Sequence, residues 1–212
     1  MDASFWHRKW AANEIGFHES TVNPLLLKYI EALTLAQGSR IFLPLCGKSL
    51  DIHWLLSQGY RVAGAELSEI AIEQLFAELN LTPDISTVGE LRHYSAKNLD
   101  IFVGDIFDLT GEALGQIDAI YDRAALVALP QETRLRYSAH LAAISDLAQQ
   151  LLICFEYDQS LQDGPPFSIS DEEVRQHYGK LYALTLLARI DVPGGLKGKC
   201  PAHENIWVLS KY

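Results

Sequence analysis

Glu66, Asp105 and Arg123 each stand at or just beyond the end of an apolar run. The runs are Arg61-Val-Ala-Gly-Ala-Glu66, Leu99-Asp-Ile-Phe-Val103 before Gly104-Asp105, and Ile117-Asp-Ala-Ile-Tyr121 before Asp122-Arg123. In an open α/β sheet, groups at the carboxyl ends of strands face the ligand crevice. An acidic side chain about twenty residues beyond the first strand's loop is placed to accept hydrogen bonds from ribose hydroxyls. Glu66 has that spacing from the loop at Pro44 to Ser49. Arg123 adds a permanent cation suited to an anionic reactant.

The loop Pro44-Leu-Cys-Gly-Lys-Ser49 narrows the ligand. A dinucleotide fold uses G-x-G-x-x-G to bring backbone against a pyrophosphate. Here Gly47 is the only glycine of the turn. A phosphate-cradling loop needs G-x-x-x-x-G-K-S/T, and its earlier glycine falls on Phe42. A nucleoside without pyrophosphate fits better, and S-adenosylmethionine is such a ligand. The competing reading is a buried βα turn beside a solvated glutamate.

Other chemistries find little support. The three cysteines, Cys46, Cys154 and Cys200, form no C-x-x-C pair, so neither disulfides nor a cysteine zinc site is expected. Cys46 reads as an inert buried thiol rather than a nucleophile. The seven histidines show no H-x3-H or H-E-x-x-H spacing, so no metal is expected. His18 and His53 read as packing or surface groups. No Ser-His-Asp or Cys-His pairing is evident. The net charge of −10 argues against a nucleic-acid partner. The N-terminus lacks an apolar signal core and no segment has the length of a membrane span, so the chain reads as cytoplasmic. Nothing announces a dimer seam, and a monomer is the expectation.

The elements that must position these residues follow from periodicity. Residues 1–20 are rich in aromatic and polar groups, including Trp6, Trp10 and Phe17. A helix is predicted over 24–33, a strand over 40–45, a helix over 49–58 and a strand over 61–66. A serine-capped helix follows Ser68. Residues 80–98 read as polar loop with at most a short helix. Strands are predicted at 99–103 and 117–121, a helix at 131–148, and a central apolar strand at 150–157. A helix at 170–178 and strands at 182–191 and 205–211 complete the chain. The whole of 1–212 is expected to form one domain, with 1–20 covering the ligand. The predicted fold is a Rossmann-like seven-stranded, mostly parallel sheet with helices on both faces and a terminal antiparallel hairpin. That is the arrangement of class I methyltransferases.

Several motifs in order resemble the thiopurine S-methyltransferase family. They are Trp6-His-Arg-Lys-Trp10 with Phe17-His, Phe42-Leu-Pro-Leu-Cys-Gly-Lys-Ser and Gly64-Ala-Glu66-Leu-Ser. Ile106-Phe-Asp-Leu, Tyr121-Asp-Arg123-Ala-Ala-Leu-Val-Ala and Gly164-Pro-Pro-Phe continue the series. The resemblance implies methyl transfer from S-adenosylmethionine to the sulfur of aromatic or heterocyclic thiols such as thiopurines. It implies that Trp6, Trp10 and Phe17 cover the cofactor, that Leu45 contacts it and that Glu66 holds the ribose. Asp105 and Ile106 would flank the adenine, and Arg123 would lie where cofactor and acceptor meet.

The family's second substrate-facing arginine has no counterpart in Gly194-Gly-Leu-Lys-Gly-Lys-Cys-Pro-Ala-His203, where Lys197, Lys199 or His203 could substitute. Competing roles stay open at single residues. Arg123 could pair internally with Asp122, Trp10 could be core packing, and Asp105 could be a turn cap. Competing functions are transfer to a selenium or tellurium species or another small acceptor, a nicotinamide dehydrogenase (disfavoured by the loop), and a non-catalytic nucleoside-binding module.

Overall fold

The computed structural model describes residues 3–16 and 18–212. Phe17 lies outside the described residues. Apolar runs become strands, and five of the helices begin where a polar side chain, from Asn23, Ser49, Ser68, Thr110 or Ser170, takes a first free N–H group. Helix α1 spans Ala3–Ala11 and α2 spans Pro24–Tyr29, extended by a 3-10 turn over Ile30–Leu33. The Asn23 side chain accepts the Leu25 and Leu26 N–H groups, and Pro24 occupies the position where no donor is needed. Strand β1 (Arg40–Pro44), helix α3 (Leu50–Ser57) and strand β2 (Arg61–Glu66) form the first βαβ unit. Ser49 caps α3, and Ser68 caps α4 (Glu69–Glu78).

Next come β3 (Asp84–Val88), β4 (Leu91–Ala96) and β5 (Leu99–Val103). They are followed by the short α5 (Gly111–Leu114), β6 (Ala119–Arg123), α6 (Gln131–Ile144) and β7 (Gln149–Tyr157). Helix α7 (Asp171–Tyr178), capped by Ser170, precedes the hairpin of β8 (Tyr182–Asp191) and β9 (Ala202–Lys211).

One sheet runs in the order β3-β4-β5-β2-β1-β6-β7-β9-β8. Its centre, β5-β2-β1-β6-β7, is parallel. Both flanks are antiparallel. Successive residues of β1 serve opposite layers, as pleating requires. Phe42 packs with α6 and α7 residues such as Tyr137 and Val174, while Ile41 and Leu43 pack with Leu26, Ile52 and Leu75 of α2, α3 and α4. Crossovers leave β1 toward β2 in one direction and reach β6 in the other. The carboxyl ends of β1 and β6 therefore border the switch point where α/β sheets bind ligands.

Two expectations are corrected. The sheet has nine strands rather than seven, because residues 84–96 form an antiparallel hairpin instead of a polar loop. Four of the five β3 residues are exposed, so no apolar alternation marks it. Gly89, with φ +59°, supplies its tight turn. Smaller shifts matter at the site: β6 runs two residues further than predicted and ends on Arg123 itself. Helix α6 stops at Ile144 rather than 148. No helix among the described residues is long and apolar enough to cross a membrane.

Candidate active site

The site begins with a strained turn. Leu45 leaves β1 with φ +47° and Gly47 follows at +52°. A left-handed leucine costs on the order of 1 kcal/mol or more, so surrounding bonds must enforce it. The Cys46 N–H supplies one by donating to the Ala65 carbonyl at 3.0 Å, pinning the loop onto β2. The Cys46 thiol lies against Gly64, where an added Cβ would come within 2.8 Å of Sγ. Burial, aided by the nearby Glu66 charge, pushes that thiol well above the ordinary range. Cys46 as a residue is partly exposed, and its thiol packs against Gly64.

Glu66 ends β2 beneath this turn and is only 6% exposed. One carboxylate oxygen accepts the Gly47 N–H at 2.9 Å and the other accepts the Ser68 N–H at 2.8 Å. Burial raises its pKa, and these backbone donors oppose the rise. A carboxylate offers about four acceptor positions, so two bonds leave capacity for a pair of hydroxyl donors. The Glu66 carbonyl also takes the Gly104 N–H at 2.9 Å, which fixes the end of β5 one residue before Asp105.

The N-terminal helix closes over the same turn. A Cβ on Gly47 would sit 3.1 Å from Cζ2 of Trp10, so the indole rests on bare glycine backbone. Trp10 is 5% exposed; Trp6, one helical turn earlier, is partly buried and meets Phe5 edge-on with ring centres 5.1 Å apart. Asp105 is exposed, and its Oδ1 accepts the Phe107 N–H at 3.0 Å, capping the turn Ile106–Asp108. The turn-cap alternative for Asp105 is therefore realised in this state. Ile106 is buried in the core, and its carbonyl lies 2.8 Å from His140 Nε2.

Arg123 does not pair with Asp122. Adjacent strand residues point to opposite faces, and Asp122 faces the layer of α6. There its carboxylate accepts the Leu126 N–H at 3.1 Å and the Tyr137 hydroxyl at 2.8 Å. Burial pushes the Asp122 pKa to about 6. Arg123 instead meets Glu19 of the N-terminal segment, with Nη2 3.0 Å from Oε1. The next residue, Ala124, has φ +64°, so the ends of β1 and β6 both carry a left-handed non-glycine residue.

That segment is anchored deeper in the fold. The Asn23 N–H donates to Asp51 Oδ1 at 2.8 Å, and the Tyr121 hydroxyl donates to Asp51 Oδ2 at 3.0 Å. Sequence reading missed Glu19 and Asp51, and at Asn23 it gave only the helix start, since these contacts join partners far along the chain.

The possible substitutes for a second arginine have different fates. Lys197 donates to the Pro165 carbonyl at 2.9 Å, joining the loop before β9 to the one after β7. Burial, with Lys199 and Lys9 nearby, lowers its pKa. His203 Nδ1 lies 2.7 Å from Asp191 Oδ1, where β8 and β9 meet their connecting loop. Lys199 lines an open depression of about 430 Å³ that this loop forms together with Asp191 and His203. Among the described residues, no group of three or more His, Cys, Asp or Glu is placed to hold a metal.

A central parallel sheet with an antiparallel end strand pair, and an acidic residue at the end of β2, defines the class I methyltransferase architecture. Solved structures agree on the fold. The chain superposes on the 1,6-didemethyltoxoflavin-N1-methyltransferase of Burkholderia thailandensis with a TM-score of 0.67 and 15% identity, covering 99% of this chain and 87% of that one. It superposes on the magnesium protoporphyrin IX methyltransferase of Synechocystis with a TM-score of 0.61 and 14% identity, covering 99% and 100%.

Sequence relatives are far nearer. The family described as Thiopurine S-methyltransferase matches residues 1–209. Proteins named thiopurine S-methyltransferase from Xanthobacter autotrophicus and Teredinibacter turnerae are 54% and 56% identical to this chain, with 100% of it covered in both alignments and 100% and 98% of theirs. The chain belongs to the thiopurine S-methyltransferase family.

Proposed function

We propose that this protein is an S-methyltransferase that moves a methyl group from S-adenosylmethionine to the sulfur of aromatic or heterocyclic thiols such as thiopurines. The observation that carries the reading is the Glu66 carboxylate, held by two backbone N–H groups with acceptor capacity to spare, beneath a turn roofed by Trp10. That donor and acceptor set fits a ribose, and the lone glycine of the turn suits a ligand without pyrophosphate.

When bound, S-adenosylmethionine supplies a methyl carbon activated by its sulfonium charge. The chain's own tasks are alignment and exclusion of water. Glu66 would hold the ribose hydroxyls. Leu45, Asp105 and Ile106, at the ends of β1 and β5, would line the nucleoside. Trp6 and Trp10, with Phe17, would cover it. An indole face near a sulfonium also offers a favourable cation–π contact. Arg123 would face the acceptor, where a fixed guanidinium favours a thiolate over a thiol. An aromatic heterocyclic thiol is already acidic, so the step needs no strong base.

The test is direct. Purified protein, S-adenosylmethionine and mercaptopurine are incubated and the S-methyl product is sought by mass spectrometry. Product that requires both protein and cofactor supports the reading. Binding of S-adenosylhomocysteine without product would move the acceptor to another chemistry. Neither binding nor product would overturn the site assignment from Glu66 onward.

A further inference from the structure

We propose that Glu19 is a specificity-determining residue of the acceptor site: it holds the anion-binding fork of Arg123 and makes acceptor affinity depend on acceptor charge. The inference rests on the proposed role of Arg123 facing the acceptor. Its geometric basis is the 3.0 Å contact between Arg123 Nη2 and Glu19 Oε1, across 104 residues of sequence.

The two partners differ in shielding. The Arg123 side chain is 15% exposed and sits at the end of a central strand, whereas the Glu19 side chain is 57% exposed. An ion pair with one solvated partner is worth at most about 1 kcal/mol. Glu19 is therefore displaceable, while Arg123 is fixed. An anion approaching Arg123 has to compete with a carboxylate already there.

A second carboxylate sharpens the effect. Glu204, near the start of β9, is partly buried and within the electrostatic reach of both Arg123 and Glu19. Its pKa is raised first by burial, with Arg123 opposing and Glu19 adding to the rise. His18, beside Glu19, is kept toward its neutral form by burial and by Lys48. Arg123 thus has Glu19 in contact and Glu204 within electrostatic reach. Such a site admits a thiolate that takes over the Arg123 contact while the exposed Glu19 stays at the rim. It disfavours an acceptor that brings a further negative group, since like charges in a shielded site repel.

The experiment uses the full chain loaded with S-adenosylhomocysteine and two probes that differ by one carboxylate, 4-methylbenzenethiol and 4-mercaptobenzoate. Calorimetry measures binding, and methyl transfer is measured separately with S-adenosylmethionine. Glu19→Gln should tighten 4-mercaptobenzoate by about two- to five-fold relative to 4-methylbenzenethiol, the range an exposed ion pair supports. Glu19→Asp should stay close to the parent. In an Arg123→Gln background that still binds S-adenosylhomocysteine, Glu19→Gln should give no such gain.

Equal effects on both probes, or the same gain without Arg123, would overturn the inference. If neither thiol is methylated yet Glu19→Gln still favours 4-mercaptobenzoate, the acceptor chemistry is wrong and the control of Arg123 by Glu19 stands. If transfer occurs but charge selectivity ignores Glu19, the proposed function stands and this inference fails.

Discussion

The Gly47 N–H donates to the Glu66 carboxylate at 2.9 Å, so the turn after β1 and the end of β2 are one hydrogen-bonded unit. A glutamine at 66 can accept only one of the two backbone N–H groups and turns a donor toward the other. Glu66→Gln should destabilise the protein by about 1–3 kcal/mol, the cost of one unpaired buried donor. Glu66→Gln and Glu66→Ala should both weaken S-adenosylhomocysteine by about tenfold or more, since a charged hydrogen bond is worth roughly 1.5–3 kcal/mol. Urea denaturation and calorimetry measure the two effects. In the parent, burial has already raised the Glu66 pKa. Affinity should therefore fall at acid pH, as the carboxylate that accepts the ribose hydroxyls takes up a proton.

Gly47→Ala tests the roof. The residue keeps φ +52°, and its new Cβ lies 3.1 Å from the Trp10 ring. The left-handed conformation alone costs about 1–2 kcal/mol for a side-chain-bearing residue. The indole must also give by a few tenths of an ångström. The expected result is a stability loss of at least about 1–2 kcal/mol, with greater acrylamide quenching of tryptophan fluorescence. Unchanged quenching would mean that Trp10 does not depend on this contact in solution.

Arg123→Gln should cut transfer to thiols by about 10- to 100-fold, the range for losing one charged hydrogen bond. Affinity for S-adenosylhomocysteine should change far less, because Glu66 carries the ribose contact. Steady-state kinetics beside calorimetry would separate the two. A loss confined to cofactor affinity would place Arg123 on the other side of the site.

Much of this was legible in the chain. Buried parallel strands such as β7 read as unbroken apolar runs because helices cover both faces, and Ser49, Ser68 and Ser170 marked helix starts through cap chemistry. The β3–β4 hairpin was not legible: it flanks the sheet, exposes most of β3 and so carries no period-two apolar signal. At the site, Glu66 was singled out by its spacing from the first-strand loop together with the family resemblance. Whether Arg123 pairs with Asp122 stayed open until β6 was seen to run through both residues, which sets them on opposite faces. Glu19 has no sequence signature, since only the path of the folded chain brings it to Arg123.

Asp122 gives a prediction in pH. Its carboxyl has an ordinary pKa of 3.8 and is held at about 6 in the fold by burial. The folded state therefore binds this proton more tightly than the unfolded chain. The resulting stability is fully present below pH 3.8 and is lost as pH rises through about 6. A shift of that size corresponds to about 3 kcal/mol at 1.36 kcal/mol per unit. Asp122→Asn keeps an acceptor for the Leu126 N–H and an amide for the Tyr137 hydroxyl but cannot ionise. Between pH 4 and 7 the parent should lose about 2 kcal/mol of this relative to the variant, measured by denaturant unfolding at each pH. Parallel curves would show that Asp122 ionises in the fold as easily as in water.

The N-terminal segment supplies the last test. It touches the site through the displaceable Glu19 and is held at its base by Asp51, which is 2% exposed and receives both the Asn23 N–H and the Tyr121 hydroxyl. Removing Asp51 leaves two buried donors without an acceptor, each costing about 1–3 kcal/mol. Asp51→Ala should therefore destabilise by roughly 2–5 kcal/mol. Asp51→Asn retains one acceptor and offers its amide to the tyrosine oxygen, so it should cost closer to 1 kcal/mol. Tyr121→Phe removes a single bond and leaves Asn23 satisfied. If Asp51 is the pivot of the segment, hydrogen exchange around residues 18–26 should quicken in Asp51→Ala well before that of β6. In Tyr121→Phe it should stay near the parent rate. Equal acceleration throughout the sheet in Asp51→Ala would instead mark Asp51 as part of the global core, with no special hold on the segment that carries Glu19.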